Sequence, residues 1–451
     1  MTFSHFVLTT FGIGIIILLV LMTVTSFREK KPKTAYKALR LLPIGLVLIA
    51  MSLLGAFIPT WVLNLLSGLL LVVAVYLLWP AFLMKRGSES IPKEKLDERT
   101  VMFSRNELKP GTEQFEAYYK AHPEHKELDD EFRKKPGLGS PESAFFNPLP
   151  YTASEALFHT VDCLQPLVEG AAANKITNVS PDKAERFIRT WMKKAGAVSV
   201  GITGLKDYHW YSVGGRHERY GKEIAGDHPI GIAFTVEMDE EMVRSAPRGS
   251  IIMESAAKYL EAGVIAVQIA QFIRNMGYNA RAHIDGNYQV VCPLVARDAG
   301  LGEIGRMGLL MTPELGPRVR IGVITTDMPL KTDKRGFDDS MEDFCEKCMK
   351  CAENCPSSAI SEEPREEING VKRWQINSEA CFTYWCLAGT DCGRCMGVCP
   401  YSHPRNFMHN MVRWAIKHFP NFRYWAVRMD DLFYGRKPKM LKVPDWMRVK
   451  D

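Results

Sequence analysis

Cys345-Glu-Lys-Cys348-Met-Lys-Cys351-Ala-Glu-Asn-Cys355-Pro356 is the stretch that decides how this chain is read. A second run follows it, Cys392-Gly-Arg-Cys395-Met-Gly-Val-Cys399-Pro400. The chain holds 11 cysteines, and nine of them fall between Cys345 and Cys399. A disulfide framework spreads its cysteines through a small secreted chain, so an odd number crowded into one region of a 451-residue chain points to metal or cluster ligation. Zinc sites space their cysteines as two separated pairs, which the first run does not do.

The first run has the spacing of bacterial ferredoxins, where three close thiolates wrap one corner of a [4Fe–4S] cubane and the fourth serves the neighbouring cluster. By that logic one cluster takes Cys345, Cys348, Cys351 and Cys399. The other takes Cys355, Cys392 and Cys395 with either Cys381 or Cys386, and spacing does not choose between these two. Two adjacent clusters form an electron wire and do not name the reaction they feed.

Outward toward the N-terminus the composition changes. Thr2 to Phe27 holds no Asp, Glu, Lys or Arg, and Phe11 to Val24 is almost continuous Ile, Leu, Val and Met. Leu41 to Met84 is also free of formal charge and is broken near its middle at Pro59-Thr60. One span needs about 20 apolar residues, so three membrane helices are expected, at residues 5–26, 41–58 and 61–84. The first run has no preceding basic region, no small-residue cleavage site and no twin arginine, and so reads as a span rather than a leader. Arg28, Lys30, Lys31, Lys33, Lys37 and Arg40 lie between the first two spans, and Lys85, Arg86, Lys93 and Lys95 follow the third. The positive-inside rule puts the N-terminus outside and everything after Met84 in the cytoplasm. The net charge of +6 gathers beside these apolar segments, so it reads as a membrane signal and not as a nucleic-acid footprint.

After this anchor (1–86), residues 87–144 are rich in Glu and Lys and read as a polar linker or exposed helix, with Phe115, Tyr118 and Tyr119 packing on something. A globular core spans 145–334. Pro181 to Ala195 reads as an amphipathic helix, and Val198–Ile202, Gly231–Val236 and Val319–Ile324 read as strands. Ser255 to Met276 is the clearest helix, with Tyr259, Gly263, Ala266, Ala270 and Ile273 on one face and Gly277 as its stop. Alternating helices and strands imply an α/β or α+β core. The two-cluster region occupies 335–405, and 406–451 reads as a C-terminal tail.

Several stretches together carry a resemblance. They are Phe272-Ile-Arg-Asn-Met-Gly-Tyr278, Ala299-Gly-Leu-Gly-Glu-Ile-Gly-Arg306, Thr326-Asp-Met-Pro-Leu330, Phe344-Cys345 and Asp391 to Tyr401. In this order and spacing, over about Tyr259 to Tyr401, the chain resembles the corrinoid iron–sulfur enzymes known as reductive dehalogenases. The resemblance implies an α+β, nitroreductase-like corrinoid-binding core and a C-terminal bacterial-ferredoxin-like domain with two [4Fe–4S] clusters. It favours Cys381 over Cys386 as the eighth ligand, leaving Cys163, Cys292 and Cys386 as bystanders. Carried over by position, Tyr259 matches the catalytic tyrosine, Asn287 the active-site asparagine and Arg320 the arginine. Gly300, Gly302, Gly305 and Arg306 form a run suited to close approach by the cofactor. The family's corrinoid is base-off with no protein ligand to cobalt. Asp207-x-His209-x-x-Ser212 carries serine where a cobalt-ligating motif has glycine, so His209 is expected to be an ordinary polar or surface residue.

The implied activity is replacement of halogen by hydrogen on a small organohalide. The electrons would come from a low-potential donor, whether ferredoxin, flavodoxin or a quinol chain. In this reading Tyr259 gives the proton, Arg320 lowers its pKa and Asn287 orients phenol or substrate. The chain departs from the family in fusing its membrane helices to the catalytic part. Epoxyqueuosine reductase shares the two-cluster corrinoid design, but its aspartate-before-proline arrangement is not formed here by Asp285 and Pro293, and three spans fit poorly with a tRNA substrate. A membrane ferredoxin-type electron carrier would leave the match from Tyr259 to Asp327 unexplained. The placement is checked by protease treatment of right-side-out vesicles: the region after Met84 stays protected if it is cytoplasmic, and digestion without lysis places it outside.

Overall fold

The computed structural model describes residues 2–80, 91–336 and 338–448. It forms two compact units. One gathers the described residues up to 80 with Asp339–Cys348 and Pro404–Pro438, and the other holds most of the rest.

In the first unit the apolar N-terminal runs are helices α1 (Phe3–Arg28), α2 (Pro32–Leu53) and α3 (Thr60–Leu77), all long and apolar enough to cross a membrane. Residues such as Ile17, Leu65 and Val72 point outward, as a lipid-facing surface requires. α1 and α2 cross where Gly12 meets Gly45: a Cβ on either glycine would stand 2.8 Å from the other's carbonyl oxygen. Small residues let the two backbones approach closely, the usual basis of helix packing in lipid. α2 begins well before residue 41, because the basic stretch from Lys33 to Arg40 continues the helix, and Pro59 opens α3 as expected of a break. Residues 81–84 of the expected third span, together with Lys85 and Arg86, lie outside the described residues. The stretch read as a tail begins with two helices, Phe407–His418 and Pro420–Tyr434, that belong to this same unit.

The second unit is built on a four-stranded antiparallel sheet of β1 (Ser199–Gly204), β2 (Ile230–Glu237), β3 (Ala280–His283) and β4 (Val319–Thr326), in the order β1-β2-β4-β3. In the register, Val236 faces Arg320 and Ile232 faces Ile324. Alternation along the strands divides the core in two. Ile232, Phe234 and Ile324 point to one side, where Ile188, Met192, Ala266, Ala270 and Ile273 cover them. Ala233 and Val323 point to the other, against Val295, Ala296 and Trp210. Full burial of side chains such as Ile188 or Phe234 contributes roughly 1.5–3 kcal/mol each. The long helix α5 (Gly249–Asn275) lies on the first of these faces, and α4 (Pro148–Cys163) packs on α5. Gly277 ends α5 in the left-handed conformation, at φ +90°, where a side chain would strike the Lys175 carbonyl.

The segment read as a polar linker folds as helices over Met102–Glu107, Glu113–Ala121 and Pro123–Arg133. Its charges are partly interior. Arg105 is fully buried and donates to Asp129 Oδ2 at 2.9 Å and to Glu379 at 2.6 Å, and Tyr119 also donates to Asp129 at 2.7 Å. Breaking such a pair strands a buried charge at a cost of about 3–5 kcal/mol. Asp129→Ala should therefore lower the thermal midpoint by several degrees, while Glu131→Ala, which breaks only a surface pair with Lys134, should leave it unchanged.

Candidate functional site

Ser255 and Tyr259 stand one turn apart on α5, so their side chains share a face, and Arg320 comes to them from β4. The Arg320 guanidinium lies 4.7 Å from the centre of the Tyr259 ring. Its Nη2 donates to Asp391 Oδ2 at 2.8 Å and also to the Ser255 hydroxyl, which in turn donates to Asp391. Asp391 immediately precedes Cys392, so one ion pair ties the expected catalytic pair to the cysteine loop. Arg320 Nε and Asp391 Oδ1 are buried with no hydrogen-bond partner among the described residues. A donor and an acceptor left open beside a tyrosine are what a site for a further bound group needs.

Arg320 acts on Tyr259 in the expected direction, but it is outweighed. Arg320 does draw the Tyr259 pKa down, but burial and the carboxylates Asp285 and Asp391 more than offset it, and the phenol is pushed up to about 12. Burial likewise raises Asp391, against the pull of Arg320. Burial raises Tyr288 well above the usual tyrosine value, with Asp285 and Tyr259 adding to the shift. Tyr259 is thus a neutral, proton-bearing group across the physiological range.

Asn287 is not brought into direct contact with this pair. Its carbonyl side accepts from Arg281, and its amide donates to Gln165 at 3.0 Å. Its backbone closes a turn onto Ile284, and that turn carries Asp285 and Tyr288. The glycine run is largely occupied within the protein. A Cβ on Gly302 would stand 2.1 Å from the Met311 carbonyl, and Gly305 donates to Leu309. The buried Arg306 holds the Ser361 and Glu363 carbonyls and stacks over Trp374. Gly300, at φ +77°, has open space where a side chain would be. His209 is no surface residue: it is fully buried, accepts from the Lys206 backbone on Nδ1 and so donates through Nε2 to Asp298 at 3.0 Å.

Each cysteine run turns sharply between its ligands. Met349, with φ +52°, and the consecutive Cys392 and Gly393, at +54° and +64°, adopt left-handed backbone that folds nearby thiols toward one another. For non-glycine residues this costs of order 1 kcal/mol each, tolerated where function demands it. Burial drives the Cys395 thiol far up, and the thiols of Cys392, Cys351, Cys381 and Cys355 add to it. Burial also pushes Cys392 up to about 12, with Cys381 and Cys355 contributing. Cys381 rises to about 11 through burial and the nearby Cys355. Thiols so placed cannot all ionise unless a cation compensates them, and this is a donor set suited to an iron–sulfur cluster. Cys386 is raised by burial alone and packs with Met102, Phe132 and Phe382. Cys163 is exposed, and Cys292 lies in the apolar layer under the sheet.

Residues 344–403 match the 4Fe-4S dicluster domain. The chain is 37% identical over 222 residues to tetrachloroethene reductive dehalogenase of Sulfurospirillum multivorans, a match covering 48% of this chain and 44% of that protein. It is 34% identical over 205 residues to the tetrachloroethene reductive dehalogenase of Desulfitobacterium hafniense, covering 42% and 36%. Over these stretches the chain is similar to reductive dehalogenases. In solved structures, a reductive dehalogenase from which a mechanism for B12-dependent dehalogenation was suggested superposes with a TM-score of 0.64 at 25% identity, covering 78% of this chain and 49% of that one. The chain thus spans about half the length of the relatives it matches, or less. The chain shares with these solved structures a mixed helix and sheet core, and its C-terminal part matches a 4Fe–4S domain.

Ser255, Asp285, Tyr288 and Asp391 were absent from the sequence-based site. Ser255 had a signal, its spacing of four residues before Tyr259 on a helix. Asp391 had only its adjacency to Cys392. The thiol grouping leads to an expected outcome: Cys381→Ala should leave about four of eight irons per chain, while Cys386→Ala should keep all of them, as read by iron analysis and low-temperature EPR of the reduced protein.

Proposed function

We propose that this chain is a corrinoid-dependent reductive dehalogenase that catalyses R–X + 2 e⁻ + H⁺ → R–H + X⁻ on a small organohalide. The observation that carries the proposal is the stack of Arg320 on Tyr259, clamped by Asp391 next to a cluster cysteine. A bound base-off corrinoid would supply the strongly reducing cobalt needed to cleave a carbon–halogen bond. Two [4Fe–4S] clusters would supply electrons singly, one held by Cys345, Cys348, Cys351 and Cys399, the other by Cys355, Cys381, Cys392 and Cys395.

The chain's own residues supply the proton and the charge balance. Tyr259 holds its proton at neutral pH because burial and two carboxylates oppose its ionisation. When that proton passes to the product carbon, the adjacent Arg320 steadies the phenolate, so its effect falls on the charge-separated state more than on the resting one. Asp391 and Ser255 fix the guanidinium over the ring. Asn287 is a positioning residue: it holds the turn from which Asp285 and Tyr288 bear on Tyr259. The open donor on Arg320 and open acceptor on Asp391 fit the amide-rich periphery of a corrinoid. Within the glycine run, the open side of Gly300 is the place for close cofactor approach, while Gly302, Gly305 and Arg306 shape the hairpin beside it.

The three apolar helices anchor the chain in a membrane, with the catalytic unit on the cytoplasmic side, where a ferredoxin, a flavodoxin or a quinol-linked donor would reduce it. The test is anaerobic purification of the full chain with corrinoid. Wild type should hold about one cobalt and eight irons. Tyr259→Phe should keep both metals and lose about 10²–10⁴-fold in kcat, the usual worth of a positioned acid. Full turnover by Tyr259→Phe would remove the tyrosine from the mechanism, and an active cobalt-free protein would remove the corrinoid. Because the phenol stays protonated, wild-type kcat should not fall through tyrosine ionisation between pH 6 and pH 10, as a pH profile would read out.

A further inference from the structure

The Phe407–His418 and Pro420–Tyr434 helices pack together and present unusual outer faces. On the first, Phe407 and Trp414 are 70% and 54% exposed, seven residues apart and so on one stripe. On the second, Tyr424, Trp425 and Leu432 are each about half exposed, with Arg428 in the same row. Their inner faces are occupied by buried residues such as Ile416, Ala426 and Phe433.

These helices are bound to one end of the α1–α3 bundle. Asn406 and His409 both bond Glu29, the residue that follows α1, at 2.6 and 3.0 Å. Asn421 donates to the Tyr76 carbonyl near the end of α3 at 2.9 Å. Lys37, near the start of α2, donates to the Leu432 carbonyl at 2.8 Å. The second helix therefore touches α3 at its beginning and α2 about 16 Å further along, and so lies across the end of the bundle instead of running along it. That end is the one carrying the basic loop Arg28–Arg40. Between Pro404 and Pro438 the chain adds seven basic residues against two acidic ones.

We infer that the Phe407–His418 and Pro420–Tyr434 helices form an interfacial part of the membrane anchor, seating Phe407, Trp414, Tyr424, Trp425 and Leu432 in the headgroup layer of an anionic phospholipid bilayer. The inference rests on α1–α3 spanning that bilayer. Tryptophan and tyrosine favour this depth, where the ring is shielded and its polar edge stays wet, and Arg428 and Lys417 meet lipid phosphate there. The hydrogen bonds to Glu29, Tyr76 and Lys37 hold the stripe at the level where the spanning helices leave the bilayer, which selects lipid over a soluble partner.

The test uses the full chain in phosphatidylcholine–phosphatidylglycerol liposomes containing an alkyne-tagged phospholipid. A benzophenone amino acid replaces Trp414, Tyr424 or, as a mid-span reference on the outward side of α3, Val72. Iron content confirms that each variant is folded. Phospholipid adducts at all three positions after irradiation are expected. Adducts at Val72 alone, or chain-to-chain cross-links at Trp414 and Tyr424 in place of lipid adducts, would overturn the interfacial assignment while leaving α3 as a span. No adduct at Val72 would overturn the spanning reading and this inference with it.

Discussion

The guanidinium of Arg320 joins the parts of the second unit on which function depends. It is held on β4, stacks on a tyrosine of α5 and is paired with an aspartate one residue before Cys392. A buried cation is costly unless its environment compensates it, and here Asp391, Ser255 and the electron-rich face of Tyr259 do so together. The same constraint sets the chemistry. Arg320 draws the Tyr259 pKa down but does not make the phenol acidic, because burial, aided by the carboxylates Asp285 and Asp391, raises it further. What remains is a neutral proton donor next to a fixed positive charge, which suits a reaction that consumes one proton per turnover and leaves a phenolate behind.

The cysteine loop gains meaning from this arrangement. Cys392 and Gly393 take left-handed backbone directly after Asp391, so the turn that gathers thiols and the ion pair that holds Arg320 belong to one short segment. A disturbance of one is felt by the other. That coupling ties the Asp391–Cys399 segment to α5 and β4 within the second unit.

Much of the fold could be read from periodicity. The apolar face of α5, the strands at Gly231–Val236 and Val319–Ile324 and the three apolar helices all follow from local pattern; the strands and α1 emerged within two residues of their expected limits, whereas α2 starts early and ends at Leu53, α3 ends at Leu77 and α5 begins six residues before Ser255. What escaped was long-range. Residues 87–144 look like a linker because they are rich in Glu and Lys, yet Arg105 and Asp129 neutralise each other inside the protein, and composition does not reveal partners. His209 read as an ordinary polar or surface residue; it is polar but buried, and its partner Asp298, far away in sequence, was not visible from local pattern. The C-terminal segment looked like a tail because its aromatic residues are interleaved with arginine and lysine, the pattern of helices that have two different faces to satisfy. Tyr259 and Arg320, singled out through the resemblance, do meet in the structure, whereas their partner Asp391 emerged only from the folded chain.

The central claim is that this chain replaces halogen by hydrogen with a proton drawn from Tyr259. The most direct measurement is single-turnover reduction of a chlorinated substrate panel in D₂O by the anaerobically purified, corrinoid-loaded full chain. The account predicts one halide released per product formed and one deuterium at the carbon that bore the halogen, with both lost together in Tyr259→Phe. Reduced, fully loaded protein that released no halide from any member of the panel would contradict it.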